Sequence, residues 1–225
     1  IEEFMLLANK KVAEKIGKVK KGTQAKTFVY RIHDRPDPEK IMNFSNFVHR
    51  FGYSLKTGTD QAIAHSMNKL VHDIKGKNEQ YILESLAIRT MAKAKYSGKN
   101  IGHYGLAFPY YTHFTSPIRR YPDLMIHRLL QSYLDGEKSE NSRKNEMRCE
   151  HSSAREELAV QAERASVKYK QVEFLKDHIG EEYDGIISGV NEWGFYVELT
   201  DNHCEGMVPV RELSDDFYEY DESNY

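Results

Sequence analysis

Cysteine is nearly absent from this 225-residue sequence, which holds only Cys149 and Cys204. They stand far apart, without CxxC or Cys/His ligand spacing, which excludes a disulfide framework and a structural zinc site and fits a reducing, cytoplasmic setting. Long apolar runs are lacking too: none approaches the ~18 residues that a membrane span requires. The amino end, IEEFMLLANKK, places acids where a signal peptide carries positive charge. A soluble chain with no membrane partner and no export address is expected. A strong overall charge is also missing, since the net value is −2. Any polyanion site must therefore be local. Between Ser85 and Leu134 stand Arg89, Lys93, Lys95, Lys99, Arg119, Arg120 and Arg128, against the single acid Asp123. From Asp201 to Tyr225 the balance reverses, with eight acids against Arg211. A basic middle beside an acidic end fits one anionic site on a protein that is not generally adhesive.

What the basic middle holds is THFTSPIRRYPDLMIHR, residues 112 to 128. Ser116 is a good N-cap and Pro117 suits a first helical position, so backbone N–H groups and the positive helix end would converge where Arg119 and Arg120 reach. A phosphate is the natural ligand of such a place. Asp123 and His127 follow Arg119 at intervals of four, so in a helix begun at 117 they share its face and Asp123 would hold its guanidinium. Pro122 would bend that helix, or else the true start is Pro122. The plainer reading is a capped surface helix whose arginines are solvated or paired.

Helical spacing is present over 1 to 16, and then at about 39 to 51, 59 to 74 and 78 to 96, with Gly52, Gly58 and Gly76 between. TFVYRIH, 27 to 33, alternates as a strand and is stopped by Pro36 and Pro38. Residues 96 to 115 form a loop rich in glycine, aromatics and histidine, of a kind often functional. A polar connector leads to a long helix, about 153 to 178, opened by the capping box Ser153/Glu156, with Ala154, Leu158, Ala162, Ala165, Tyr169 and Val172 as its buried stripe. Glu163 and Arg164 flank that stripe as ordinary boundary charges. From Glu182 the period becomes two, marking the start of a small β-barrel. Trp193, Phe195 and Tyr196 cluster around Gly194. Such rings can serve as stacking platforms for bases or can equally be core; alternation puts Trp193 and Phe195 on one face and Tyr196 on the other, so at least one is expected to face solvent.

Five ordered blocks carry a family resemblance. GHYGLAFPYYTHFTSPIRRYPDLMIHRLL at 102 to 130 resembles the signature of the RNase II/RNase R exoribonucleases. EEFMLLANKKVA at 2 to 13, YRIHDRPDPEK at 30 to 40, RTMAKAKYS at 89 to 97 and AER at 162 to 164 resemble further blocks of the same catalytic (RNB) domain. DGIISGVNEWGFYVEL with EGMVPVREL resembles the S1 RNA-binding domain that follows it, and the ending DDFYEYDESNY is similar to the RNase R branch. The resemblance implies an α+β architecture: a mostly helical carboxyl-terminal part of the RNB domain over 1–178, then a truncated OB-type S1 barrel over 179–225, with about three of its five strands.

The same resemblance implies hydrolysis of single-stranded RNA from the 3′ end, releasing nucleoside 5′-monophosphates with two Mg²⁺ ions. The family holds those ions with an aspartate cluster upstream of the first block. No DxDD-like cluster follows a strand here, and Asp215 with Asp216 falls in the S1 part. The start at Ile1, without methionine and inside a helical pattern, leads to the same expectation of a piece of a longer protein, inactive by itself. Arg119 matches the family's catalytic arginine. Ser116 and Arg120 would position neighbouring phosphates, and Glu163 falls where the family has a glutamate near the terminal nucleotide. Glu3, or Glu2, corresponds to an acid contacting RNA farther away. His103 and Tyr104 belong to the matched loop, as RNA contacts or as packed scaffold. Two rival readings stand beside this one. One is a non-catalytic RNA-binding module. The other is a metal-independent nuclease using His103 and His113 as acid and base. Oligomeric state is not legible.

Overall fold

Helices carry the chain as far as Lys176 and antiparallel strands follow, in a computed structural model that describes residues 1–214 and 216–220. Asp215 and residues 221–225, which include part of the acidic ending singled out above, lie outside the described residues. The chain divides into two compact units, Ile1–Leu158 and Ala159–Tyr225. The α+β class expected from the sequence is the one observed.

The first unit contains α1 (Glu2–Gly17), β1 (Tyr30–Ile32), α2 (Pro38–Arg50), α3 (Asp60–Asp73), α4 (Gln80–Thr90), β2 (Lys95–Ser97), a 3₁₀ turn at Tyr104–Leu106, α5 (Tyr121–Leu134) and the start of α6 (Ser142–Lys176). Local chemistry explains the starts of two helices. Asp37 caps α2 by accepting from Glu39 N at 2.9 Å, with Pro38 as its first residue, and Thr59 caps α3 by accepting from Ala62 N at 3.3 Å. Their apolar faces meet α4 around Ile41, Phe44, Val48, Leu70, Ile74 and Leu83, which form one core. A second core joins Ala13 of α1, Phe28, Tyr30, Tyr96, Ile126 of α5 and Cys149 of α6. It encloses the β1–β2 pair, in which Arg31 faces Tyr96 across the antiparallel ladder.

Three elements depart from the sequence expectation. Phe28 and Val29 are fully buried but do not join the ladder, because the side chains of Asn145 and Thr112 take their carbonyl oxygens at 3.0 and 2.7 Å. The helix expected over 78 to 96 stops at Thr90, since Lys95–Ser97 supplies the strand that β1 requires. The long helix begins at Ser142, eleven residues ahead of Ser153. Asn141 Oδ1 accepts from Lys144 N at 3.0 Å and so serves as its cap. Ser153 sits inside the helix, where its hydroxyl donates to Cys149 O and accepts from Tyr96 N, both at 2.9 Å, joining α6 to β2. The stripe expected to be buried is exposed: Leu158 is 51%, Tyr169 67% and Val172 58% accessible. No wall covers that face among the described residues.

The second unit holds β3 (Gly185–Asn191), β4 (Gly194–Leu199) and β5 (Glu205–Pro209), antiparallel in that order. A register shift between Ile187 and Gly189 bends β3. Gly194 permits the close approach of β4 and β5, because a Cβ there would stand 2.1 Å from Val208 O.

Candidate nucleic-acid interface

The two arginines lie just ahead of α5. Ser116 does not cap a helix. Its carbonyl oxygen accepts from Arg119 N at 3.3 Å and Arg120 N at 3.0 Å, closing a turn over residues 117 to 119, and α5 starts only at Tyr121 with Pro122 in its first turn. Of the two starts the sequence allowed, the structure takes the later. Asp123 is the reason. Fully buried in the first turn of α5, its Oδ1 accepts from Ser116 N at 2.8 Å and from Arg120 Nη2 at 2.9 Å. A carboxylate at a helix start is favoured by the exposed N–H groups there, and here it also fixes the preceding turn.

This corrects the expected pairing of Asp123 with Arg119. Residues ahead of Tyr121 are not helical, so the interval of four does not bring those side chains together. Arg120 is the residue held, with a side chain only 20% exposed, while Arg119 is exposed and makes no ion pair among the described residues. His127, expected on the face of Arg119, instead stacks on Phe114 with ring centroids 4.0 Å apart and bonds to Phe114 O at 2.8 Å through Nε2. Asn9 of α1 accepts from Phe114 N at 2.9 Å and donates to Tyr111 Oη at 3.1 Å. The turn therefore rests on a fixed base.

Beneath it lies a cationic layer that periodicity did not single out. Arg31 of β1, with a side chain 12% exposed, is ion-paired to Glu156 and lies 4.6 Å from the Tyr96 ring centre. Tyr96 Oη and His113 Nδ1 are 2.9 Å apart. Burial pushes the His113 imidazolium equilibrium down to about 3, helped by the neighbouring charges of Arg120, Arg31 and Arg119 and by His103. His113 is thus neutral at pH 7, next to guanidinium groups. The only signal in the sequence was an arginine in an alternating strand, which reads as a solvent-side residue.

His103 and Tyr104 hold the loop together. His33 Nε2 donates to Ala92 O at 2.6 Å, which leaves its Nδ1 to accept from Gly105 N at 2.9 Å. His103 Nδ1 accepts from Leu106 N at 3.2 Å, and its ring lies 5.0 Å from that of His33. Burial, then the proximity of His33 and Arg31, lowers His103 to about 4. The geometry opposes an acid–base pair of His103 and His113: both are neutral near pH 7, and Tyr111 stands between them at 5.3 and 5.9 Å.

A pH dependence follows from His113. Its folded pKa lies below the unfolded value near 6.5, so as pH falls below 6.5 the unfolded chain takes up a proton that the folded chain refuses, and stability declines toward pH 3. Between pH 6.5 and 5 the loss from this residue is roughly 1–2 kcal/mol. Urea midpoints at the two pH values should therefore lie closer together in His113→Gln, the remaining difference coming from His103, which is shifted in the same direction; an unchanged difference would rule out His113 as a source.

The remaining candidates are dispersed. Glu3 is exposed on α1, and Glu163 is exposed on the part of α6 that belongs to the second unit. Trp193 is 67% exposed in the turn between β3 and β4, whereas Phe195 and Tyr196 are half-buried on β4. Among the described residues there is no group of three His, Cys, Asp or Glu side chains suited to a metal ion. Asp123, the one acid at the arginine turn, is already taken, so the residues present do not fit the two Mg²⁺ implied by the resemblance. No helix among those described is long and apolar enough to cross a membrane.

Comparison with known proteins gives a consistent set of relatives. A family model described as RNB domain matches residues 1–136, and one described as S1 RNA binding domain matches residues 176–225. Ribonuclease R of Aquifex aeolicus is 40% identical over 225 residues, covering 99% of this chain and 31% of that protein. The chain thus spans about a third of the length of such relatives. Among solved structures, Mycoplasma genitalium RNase R in complex with ribose-methylated single-stranded RNA aligns with a TM-score of 0.83 at 28% identity, over 99% of this chain and 35% of that one. Yeast Ssd1, described as a pseudonuclease, aligns with a TM-score of 0.73 at 28% identity, over 92% of this chain and 26% of that one.

Proposed function

This chain belongs to the RNB family, with an S1 RNA-binding domain after its RNB segment, and we propose that it forms part of a processive, hydrolytic 3′-to-5′ exoribonuclease releasing nucleoside 5′-monophosphates from single-stranded RNA in the cytoplasm. The observation that carries this reading is the division of labour at the arginine turn. Arg120 is neutralised by buried Asp123, which leaves Arg119 exposed and, among the described residues, unpaired on a turn whose backbone is fixed. A guanidinium presented in that way takes a phosphate in bidentate fashion and can stabilise charge that develops on it during cleavage.

In this scheme Arg119 grips the scissile phosphate, Ser116 contacts its neighbour, and Arg120 acts by shaping the turn. Glu163 and Glu3 are assigned to the terminal nucleotide and to RNA farther along, following the family match. His103 and Tyr104 contact RNA only at the rim of the loop they build. Of the three candidate stacking rings around Gly194, Trp193 is the most accessible, ahead of Phe195 and Tyr196. The proposed domain boundary lies at 178/179. Mg²⁺ belongs to this reading as a cofactor of a longer protein, held by acids that the described residues do not supply.

The 225-residue chain is accordingly expected to bind single-stranded RNA in a salt-dependent manner without degrading it. Incubation with uniformly labelled RNA at saturating Mg²⁺ should release no mononucleotide; release would overturn the assignment of the metal-binding acids to other residues. A second reading, a non-catalytic RNA-binding module, is favoured by the likeness to a structure described as a pseudonuclease. Mg²⁺-dependent cleavage by a full-length protein containing this chain separates the two.

A further inference from the structure

We propose that the first unit carries a second anion site, separate from the arginine turn, that takes a free nucleoside monophosphate. It is a cavity of about 550 Å³ at the carboxyl end of α1, with Gly17, Tyr30, Tyr110, Lys99, Arg143 and Gln24 among its walls. That volume lies within the range of small-molecule sites, roughly 300–1,000 Å³.

Its chemistry is that of a phosphate and an aromatic ring. Lys99 and Arg143 are exposed at the cavity, and neither side chain makes a hydrogen bond or ion pair among the described residues. The one acid in the wall, Glu146, is turned to other work: its carboxylate accepts from Ser97 Oγ at 2.8 Å and Gly98 N at 2.6 Å. Lys26, a third cation of the wall, donates to Glu137 O at 2.6 Å and lies 4.6 Å from the ring centre of Tyr133. The field at the mouth is therefore positive, and its two free cations suit a phosphate.

The floor supplies a second, independent observation. Tyr30 is only 4% exposed, yet its hydroxyl makes no hydrogen bond among the described residues. That hydroxyl is not sealed off with the rest of the side chain: it opens on the cavity, where a ligand or water can accept from it. Burial, then the nearby Tyr110 and Tyr133, keeps the Tyr30 phenol protonated up to about 12, so it is a donor throughout the working range. Gly17 preserves the space in front of that hydroxyl. A Cβ at this position would stand 2.7 Å from Tyr30 Oη and 2.8 Å from Tyr110 Cδ1. The tyrosine rings give a base a surface to lie on, and the amide of Gln24, which makes no hydrogen bond among the described residues, can meet its edge. A single nucleotide satisfies the cations, the donor and the rings together.

The test is titration of the 225-residue protein with AMP, UMP and inorganic phosphate by calorimetry, in wild type, the double variant Lys99→Glu/Arg143→Glu, and Arg119→Ala. Both substituted cations are exposed, and an unchanged melting curve checks that the double variant folds. Saturable binding of AMP and UMP is expected, weakened about tenfold or more in the double variant, as loss of two charge-assisted contacts implies, and unaltered by Arg119→Ala. Any of three results overturns the proposal: no binding to wild type, equal affinity in the double variant, or loss in Arg119→Ala, which would place the nucleotide at the turn. Inorganic phosphate binding as tightly as AMP overturns the nucleotide assignment. The outcome does not depend on whether the protein cleaves RNA.

Discussion

Asp123→Ala is expected to lower stability by about 3–5 kcal/mol, the usual consequence of removing one partner of a buried ion pair. The cost arises from what stays behind. Arg120 keeps its charge with only a fifth of its side chain exposed, and Ser116 N loses its acceptor. Among the described residues neither group makes another side-chain hydrogen bond or ion pair. Arg120 Nε and Asp123 Oδ2 are themselves buried without hydrogen bonds, so the pair is not an especially favourable one. Its role is to specify the turn. Asp123→Asn tests this distinction, because the amide oxygen can still accept from Ser116 N while the charge opposite Arg120 is lost. Asn should recover part of the stability lost in Ala. Urea unfolding of the three proteins reads the effect, and a loss in Asp123→Ala within about 1 kcal/mol, the range of an exposed pair, would refute the structural role.

Periodicity served the sequence reading well where a helix buries one face against its own unit. Ile41, Phe44 and Val48 of α2 show it, as does Leu70 of α3, and both helices start on caps readable as Asp37 and Thr59. It failed where distant residues decide. The helical spacing after Thr90 gave way to a strand because Tyr96 is needed opposite Arg31, a pairing across more than sixty positions. Ser153 with Glu156 has the spacing of a capping box, but Ser153 N lies well inside α6, and its hydroxyl serves β2 instead. At the candidate site, composition identified the arginines and Ser116 but assigned Asp123 to the wrong one. Spacing rules presuppose the helix, and the buried carboxylate draws the chain into a turn before the helix begins. Arg31, Tyr96 and Glu156 were not legible at all, since their association depends on the tertiary fold.

That division between the arginines sets the second large effect. In a full-length nuclease containing this chain, Arg119→Ala is expected to lower kcat by about 10²–10³-fold, as removal of one preorganised donor to a developing anion does, with a much smaller change in RNA affinity. An exposed arginine adds little to binding beside the many phosphate contacts available to an RNA-binding surface, whereas its fork geometry matters most when charge concentrates on one phosphate. Arg119→Lys should recover little of the rate, because a point charge restores the field but not the bidentate fit. Arg120→Ala should behave differently: it leaves Asp123 buried without its cation, so stability and activity fall together and the melting curve shifts. Single-turnover cleavage and equilibrium binding on the same RNA separate these cases. An Arg119→Ala protein that loses affinity as steeply as it loses rate would make Arg119 a ground-state anchor for RNA. The turn built on Asp123 would then position a binding contact, and the stabilisation of the cleaved phosphate would have to come from elsewhere.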